Sequence, residues 1–172
     1  MAYTTIDKSE LFFNTKLYTG NATSRTISGI GFQPDWVWGK SRTNTENHSL
    51  FDAVRGVGLD IKSDATNAQA SNSGVTAFNS DGYVIGSADS LNSNSQNFVT
   101  WNWKANGSGS SNTDGSINTT KTSANTTSGF SLISYSGNGS SGASIGHGLG
   151  VVPAVVLVKR LNATSDWVMY HK

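Results

Sequence analysis

Apolar and polar residues alternate in short runs along much of the chain, which is the pattern of β-strands with one buried face. The clearest run, residues 98–104, places Val99, Trp101 and Trp103 on one face and Thr100, Asn102 and Lys104 on the other. Successive side chains of a strand point to opposite sides of a sheet. We therefore expect Val99, Trp101 and Trp103 to lie in the hydrophobic core of an antiparallel sheet.

Two further runs are almost continuously apolar and correspond to each other in sequence. Residues 34–40 and residues 153–159 each begin with a proline and end with a lysine. Near-continuous apolarity indicates a central strand that is covered on both faces. We expect Val37 and Val156 to be core residues of these two strands.

The rest of the pattern also predicts short strands separated by polar loops. Asp81-Gly82 lies between two apolar runs, which predicts a β-hairpin with its turn at this pair. Further strands are predicted at residues 11–18, 26–30, 48–54 and 59–63, a turn at residues 55–58, and a polar loop at residues 89–96. No segment shows the periodicity of a helix of three or more turns. The fold class is therefore all-β, an antiparallel β-sandwich.

Composition alone leaves a second interpretation open, because chains rich in Ser, Asn and Gly are often disordered. Five Trp, five Tyr and seven Phe are placed in short alternating runs. These residues supply the apolar area that a disordered chain lacks, so we favour the folded domain with long polar loops.

An internal repeat divides the chain. Phe13 and residues 18–21 correspond to Phe130 and residues 135–138, just as residues 34–40 correspond to residues 153–159. The composition changes after Ala105, where a Gly-, Ser- and Asn-rich stretch typical of linkers begins. We predict three parts: a β-sandwich domain at 1–105, a linker at 106–115, and the start of a second, truncated copy of the same unit at 116–172.

The second copy lacks counterparts of the Asp81-Gly82 hairpin and of the strand that contains Trp101 and Trp103. A sheet without those strands would expose apolar faces and unpaired edges. Two explanations stay open: the chain is a fragment of a longer polypeptide, which we favour, or another subunit supplies the missing strands.

Charge and cysteine content argue against several classes of function. Charged residues make up 13% of the chain and the net charge is +1, so no basic face for nucleic acid is indicated. The absence of cysteine excludes disulfides and thiolate zinc sites. The first seven residues lack the features of a secretory signal, and no apolar run reaches the roughly 20 residues of a membrane span, so we expect no membrane insertion.

Five spaced motifs together resemble a known protein family. They lie at residues 12–21, 33–40, 50–56, 80–83 and 101–105. They look like the repeated β-sandwich units of tail-fibre and other virion-surface proteins of marine tailed bacteriophages, which are similar to the concanavalin A-like jelly roll. The resemblance covers residues 1–105 in full and residues 129–172 in part. It implies a jelly-roll, concanavalin A-like sandwich on a virion surface, made in the host cytoplasm without a signal peptide.

The tryptophans are candidates for ligand binding, because exposed aromatic rings bind sugars by stacking on their C–H faces. We take Trp36, Trp38 and Trp167 as the candidate carbohydrate-binding residues. Core packing is the competing explanation, since buried aromatic residues dominate sheet cores. The aliphatic Val155 and Leu157 at the positions corresponding to Trp36 and Trp38 favour core packing.

Loop aspartates suggest a calcium site, which needs several oxygen ligands that converge from loops. Asp81 and Asp89 are the candidate metal ligands. Aspartate and asparagine in such loops more often cap turns, so turn capping is favoured over calcium. No other cofactor is expected.

Catalytic constellations are not apparent in the sequence. A glycosidase needs two carboxyl groups across a sugar, and the only glutamates, Glu10 and Glu46, lie in predicted turns or loops. His48, His147 and His171 are far apart and lack the spacing of a catalytic triad or a zinc site. We therefore expect no enzymatic activity.

The resemblance implies a non-enzymatic structural or adhesion module of a tailed-phage virion, in a tail fibre or related appendage that contacts host surface glycans. The expected partners are other virion proteins or copies of the chain itself, in a homo-oligomer such as a trimer. The alternative is a dedicated, lectin-like carbohydrate-binding domain with a sugar site in its loops. A glucanase-like enzyme is the third and least favoured interpretation.

Overall fold

A computed structural model describes residues 6–172, and this part of the chain consists mainly of antiparallel β-strands. Its strands are β1 (Phe13–Thr19), β2 (Arg25–Ser28), β3 (Trp36–Ser41), β4 (Ser49–Asp52), β5 (Gly56–Ile61), β6 (Ala70–Ser71), β7 (Val75–Asn79), β8 (Gly82–Ile85), β9 (Asn97–Trp103), β10 (Lys121–Asn125), β11 (Phe130–Ser134), β12 (Val155–Lys159) and β13 (Trp167–His171). The helical segments are a 3-10 turn at Ser9–Leu11 and one α-helical turn, α1 (Asp89–Asn92).

Strands β1 to β9 form a sandwich of two antiparallel sheets, which confirms the predicted all-β antiparallel β-sandwich. The larger sheet has six strands in the order β1-β9-β3-β4-β5-β6, and the smaller has three in the order β2-β8-β7. Both sheets and α1 contribute to one core, whose buried members are Ile27, Ile30, Phe32, Val37, Phe51, Val75, Tyr83, Ile85 and Leu91. The jelly-roll, concanavalin A-like subtype stays a prediction.

The predicted hairpin is confirmed, but its turn lies one residue earlier than the predicted pair Asp81-Gly82. Strands β7 and β8 pair up to Asn79 and Gly82, which leaves Ser80 and Asp81 as a two-residue loop. Gly82 is required by close packing, since a Cβ there would lie 2.0 Å from the carbonyl oxygen of Ile27 on β2.

The connection between β4 and β5 is tighter than the predicted turn at residues 55–58, because Arg55 binds several groups at once. Its guanidinium forms a salt bridge with Asp52 and donates to the carbonyl oxygens of Leu50 and Leu59, each at 2.9 Å. Both charged side chains are almost completely buried. Strand β5 therefore begins already at Gly56, next to a register shift in the β4–β5 pairing.

A helical turn lies within the loop predicted at residues 89–96. It forms because Leu91 reaches the core and Asn92 is fully buried. The Asn92 side-chain amide donates to the carbonyl oxygens of Thr23 and Gly86, each at 2.7 Å. These bonds hold α1 to the segment before β2 and to the end of β8.

The face of β9 that enters the core is the opposite of the one predicted. Phe98, Thr100 and Asn102 are completely buried, whereas Val99, Trp101 and Trp103 are only half-buried. The expected core placement of Val99, Trp101 and Trp103 is therefore wrong, and these side chains lie on the outer face of the six-stranded sheet.

Small polar residues occupy the inner face because the layer opposite already fills the space. Tyr83 is fully buried, and its hydroxyl lies 2.7 Å from Oγ1 of Thr100. Burial raises the pKa of Tyr83 above its ordinary value, which keeps this hydroxyl protonated. On the neighbouring strand, a Cβ on Gly39 would lie 2.1 Å from Cδ2 of Leu91. A tryptophan would therefore not fit at position 39. The smaller Val37, on the same inner face of β3, does fit and is completely buried.

The C-terminal part adds two separate two-stranded sheets, β10–β11 and β12–β13. A second apolar cluster attaches β11 to the sandwich, through Leu132 against Val54 and Ala105. Val156 is 39% exposed, so its expected core placement is wrong. The reason is that, within residues 6–172, no second layer buries the β12–β13 hairpin.

The stretch predicted to be a linker lies along β10. The backbone N–H of Asn106 donates to Oγ of Ser123 at 2.8 Å, and that of Ser110 donates to the carbonyl oxygen of Thr122 at 3.2 Å. The division into a domain at 1–105, a linker at 106–115 and a second copy at 116–172 stays a prediction. No helix among the described residues is long and apolar enough to cross a membrane.

The carboxyl group of Asp81 makes the stability of the fold depend on pH. Its carboxylate accepts the backbone N–H groups of Gly31 at 2.7 Å and Gly29 at 3.0 Å, which lowers the pKa of Asp81. A carboxyl whose pKa is lower in the folded state stabilises the fold above its unfolded pKa of about 3.9 and loses this effect as the pH falls through the folded value.

We expect Asp81→Asn to unfold at lower urea concentration than the parent chain at pH 7. The difference should shrink below about pH 4, because the parent carboxyl then becomes neutral as well. Asp89→Asn is the matched control, since Asp89 accepts only a serine hydroxyl through its side chain. An equal difference at pH 7 and pH 2 would contradict the assignment.

Candidate functional site

The outer face of the six-stranded sheet carries a row of aromatic side chains from three adjacent strands. We call this row the aromatic stripe: Phe13 from β1, Trp36 and Trp38 from β3, and Trp101 and Trp103 from β9. The strand register places Trp38 directly opposite Trp101, and Trp103 opposite both Trp36 and Phe13. Cross-strand aromatic pairs of this kind stabilise a sheet while leaving one ring face free.

One end of the stripe is an open cleft. Trp38, His48, Trp101 and Trp103 line a cavity of about 250 Å³, which we call the aromatic cleft. The rings of Trp38 and Trp101 lie 6.1 Å apart and meet edge to face, whereas those of His48 and Trp101 lie 6.5 Å apart and are nearly parallel. The cleft therefore presents flat, fixed ring surfaces at steep angles to each other.

A hydrogen bond fixes the two rings at the wall of the cleft. The indole Nε1–H of Trp38 donates to Nδ1 of His48 at 2.8 Å. A neutral imidazole that accepts at Nδ1 carries its proton on Nε2. The backbone N–H of His48 donates to the carboxylate of Asp64 at 3.1 Å, which holds the start of β4 against the neighbouring loop.

The other end of the stripe is covered by the C-terminal part of the chain. The ring of Phe130 lies 6.0 Å from that of Trp36 and 6.2 Å from that of Trp103. Phe130 also belongs to the apolar cluster that includes Leu132. Phe130 therefore covers the stripe at Trp36 and Trp103, whereas the cleft around Trp38 and Trp101 stays open and Phe13 is exposed outside it.

The three tryptophans predicted to bind carbohydrate do not lie together. Trp38 lines the aromatic cleft, and Trp36 lies under Phe130. Trp167 lies on β13, where its indole N–H donates to the carbonyl oxygen of Lys62 at 2.8 Å. Of the three predicted residues, only Trp38 is part of the open site.

Sequence reasoning missed the other three members of the cleft. Trp101 and Trp103 were assignable to the outer face from one signal: Phe98 shares the opposite face with Thr100 and Asn102. His48 carries no such signal, since its position depends on the β3–β4 pairing that places it beside Trp38.

The two aspartates predicted to bind calcium serve local structure. Both carboxylate oxygens of Asp81 accept backbone N–H groups from the β2–β3 connection, and that of Asp89 accepts the hydroxyl of Ser93 at 3.1 Å. Residues 6–172 contain no group of three or more histidine, aspartate or glutamate side chains arranged to hold a metal ion. This geometry corresponds to the turn-capping interpretation.

The buried acidic side chains also have structural partners. Asp35 accepts the backbone N–H of Ala105 at 2.7 Å, which ties the end of β9 to the start of β3. Asp60 accepts the ammonium of Lys62 and the side-chain amide of Asn72, each at 2.7 Å. None of these carboxylates lines the aromatic cleft.

The cleft can bind a neutral ligand with an apolar face. Its lining consists of three indole rings and one imidazole. Ring faces carry partial negative charge, which attracts polarised C–H groups. The site therefore suits the C–H faces of a sugar ring.

Comparison with known proteins places the chain in a family. The model of a domain of unknown function, DUF7483, matches residues 8–172, so the chain belongs to that family. No curated protein and no solved structure matches it.

The orientation of β9 can be tested by two substitutions on its opposite faces. We expect Phe98→Ala to lower the free energy of unfolding by about 3–5 kcal/mol, because it leaves a cavity in the core. Trp101→Ala removes mainly surface ring contacts and should cost at most about 2 kcal/mol. Urea unfolding at pH 7 measures both values. A cost for Trp101→Ala equal to or above that for Phe98→Ala would contradict the orientation of β9.

Proposed function

We propose that this member of the DUF7483 family is a non-enzymatic adhesion module of a tailed-phage virion, and that its aromatic cleft contacts host surface glycans. The observation that carries the glycan contact is the cleft itself: the rings of Trp38, Trp101 and Trp103, with His48, face outward around one opening. The virion placement rests on the motifs that resemble those of tail-fibre units.

The shape of the cleft supports weak binding of a ligand at a shallow surface and not in a deep pocket. Its cavity of about 250 Å³ is smaller than the roughly 300–1,000 Å³ typical of small-molecule pockets. A shallow site of this size engages one sugar ring or part of one. Several linked copies then raise the overall affinity through effective concentration, which suits a module carried in many copies on an appendage.

The positions of the acidic residues support a non-enzymatic role. Asp35, Asp52, Asp60 and Asp81 each bind backbone or side-chain partners that hold the fold. A glycosidase needs two carboxyl groups on opposite sides of the bound sugar, and the residues that line the cleft include none.

We expect the chain, displayed in many copies on a bead or particle, to bind at least one class of glycan on an array. Trp101→Ala should abolish this signal, because it removes the ring that faces both Trp38 and His48. Tyr170→Ala is the matched control, since Tyr170 is an exposed aromatic residue on β13 outside the cleft. Its signal should equal that of the parent chain.

Circular dichroism of each variant establishes that a lost signal reflects the cleft and not unfolding. A uniformly blank array, or full binding by Trp101→Ala, would refute the glycan contact. Antibody labelling of purified particles that carry the chain tests the virion placement separately, and absence of label from their appendages would refute that part.

A further inference from the structure

The C-terminal hairpin β12–β13 repeats the pairing of β3–β4 residue for residue. In the first hairpin Trp36 pairs with Asp52, and in the second Val155 pairs with His171. The offset is 119 for both members, 36 to 155 and 52 to 171. The next three pairs of each hairpin keep the same offset. The sequence repeat is therefore also a repeat of strand register.

The segments that precede the two hairpins share a backbone feature as well. Gly29 and Gly31 both have positive φ, at 76° and 88°, and so do their counterparts Gly148 and Gly150, at 70° and 72°. Each pair encloses one buried apolar residue, Ile30 in the first copy and Leu149 in the second. Such a conformation favours glycine, which explains why the spacing is repeated.

Strand β11 is the counterpart of β1 in the second copy. Phe130 and Tyr135 correspond to Phe13 and Tyr18 at an offset of 117. In the first copy, β1 and β3 do not touch as neighbours, because β9 lies between them and pairs antiparallel with both. In the second copy, the described residues contain no strand between β11 and β12.

A cleft of about 600 Å³ lies at that position. We call it the β11–β12 cleft; it is lined by residues 133–137 on one side and residues 158–162 on the other. The corresponding residues of the first copy are 16–20 and 39–43, and the strand that pairs with both of these segments is β9, through residues 97–100. Thr100, for example, pairs with Lys16 and with Gly39.

The strands around the cleft have unpaired edges, and β12 has exposed apolar side chains. Strand β11 pairs with β10, and β12 pairs with β13, each on one edge. Val155, Val156, Leu157 and Val158 are between 36% and 48% exposed, in a hairpin whose counterpart is central in a six-stranded sheet. Exposed apolar strands with a free edge are sites at which another strand adds.

We propose that the β11–β12 cleft binds one extended strand with the β9 pattern, supplied by a partner unit of the same family. The strand runs antiparallel to both walls, with its counterpart of Thr100 between Ile133 and Val158. Its alternate side chains then lie against Val156 and Val158 on one face and Leu157 on the other. This proposal is independent of the glycan contact, which uses different residues.

A second copy of this chain is not the favoured source of the strand. Its own β9 is paired along both edges, and Phe98, Thr100 and Asn102 are completely buried in its core. To release β9, the donor would have to open its sandwich. A partner unit whose β9-type strand is not already enclosed in this way avoids that cost.

A peptide with the sequence of residues 97–104, extended by a short lysine tail, tests the proposal on the full chain. Backbone amide NMR should show shifts confined to residues around 133–137 and 158–162. The same peptide with proline at the position of Thr100 is the matched control, because it lacks a backbone N–H within the strand. We expect the control to produce none of these shifts.

Variants of the chain locate the binding site. Val158→Arg and Tyr135→Arg, on opposite walls, should each weaken peptide binding by about tenfold or more. Val168→Arg is the control. Val168 is the cross-strand partner of Val158 but does not line the cleft, so this variant should bind the peptide like the parent chain. Two variants on opposite walls of the cleft keep the test decisive if one of them fails to fold.

Several results would overturn the proposal. These are no binding up to the solubility limit of the peptide, equal binding by the proline control, or shifts that lie outside the two walls. If dilution of the chain alone produces the same shifts, a second copy of this chain occupies the cleft, and the proposed partner is wrong.

Discussion

Strand β9 is held along both of its edges, by β1 on one side and β3 on the other. This double pairing joins the N-terminal strand of the sandwich to its centre, although β9 lies more than fifty residues further along the chain than either β1 or β3. The inner face of the same strand supplies Phe98 to the core and Thr100 to the hydroxyl of Tyr83. Without β9, two strand edges and one side of the core would be exposed to water.

The aromatic cleft follows from the requirements of that inner face. Tyr83 fills the space beneath Thr100 on β9 and Leu91 fills that beneath Gly39 on β3, so large side chains do not fit at these two inward positions. The large rings are left on the outer positions, where cross-strand register places Trp38 edge to face with Trp101. Phe130 then covers one end of the row and leaves the other open. An open aromatic surface with no charged residue in its lining therefore lies on the outer face of the sheet.

The sequence predicted strand positions well, since these depend on local alternation and turn chemistry. The hairpin at Asp81-Gly82 and the strand at Trp101 are examples. The prediction of which face of β9 enters the core was wrong. Hydrophobicity alone favours tryptophan over threonine as a core residue, but the space beneath the sheet is limited by Tyr83 and Leu91, which come from distant segments. The prediction for Val156 was also wrong, because a strand can be apolar on both faces and still lack the layers that would cover it.

Val37 and Val156 occupy corresponding positions of the repeat but differ strongly in exposure, because their neighbouring strands differ. Val37 has β9 and β4 beside it and the smaller sheet over it, and it is completely buried. Within residues 6–172, Val156 has only β13 beside it, and it is 39% exposed. The same strand pattern thus gives a core residue in one setting and a surface residue in the other, according to which neighbouring strands are present.

Amide hydrogen exchange of the isolated chain tests most directly whether the position of β9 is filled in the first copy and open in the second. We expect residues 98–102 to exchange among the slowest, at a rate set by global unfolding. In β12 every second amide, the one directed at the β11–β12 cleft, should exchange rapidly, while those directed at β13 are protected. Uniform protection along β12 and β11 comparable to that of β9, or early exchange of β9, would contradict it.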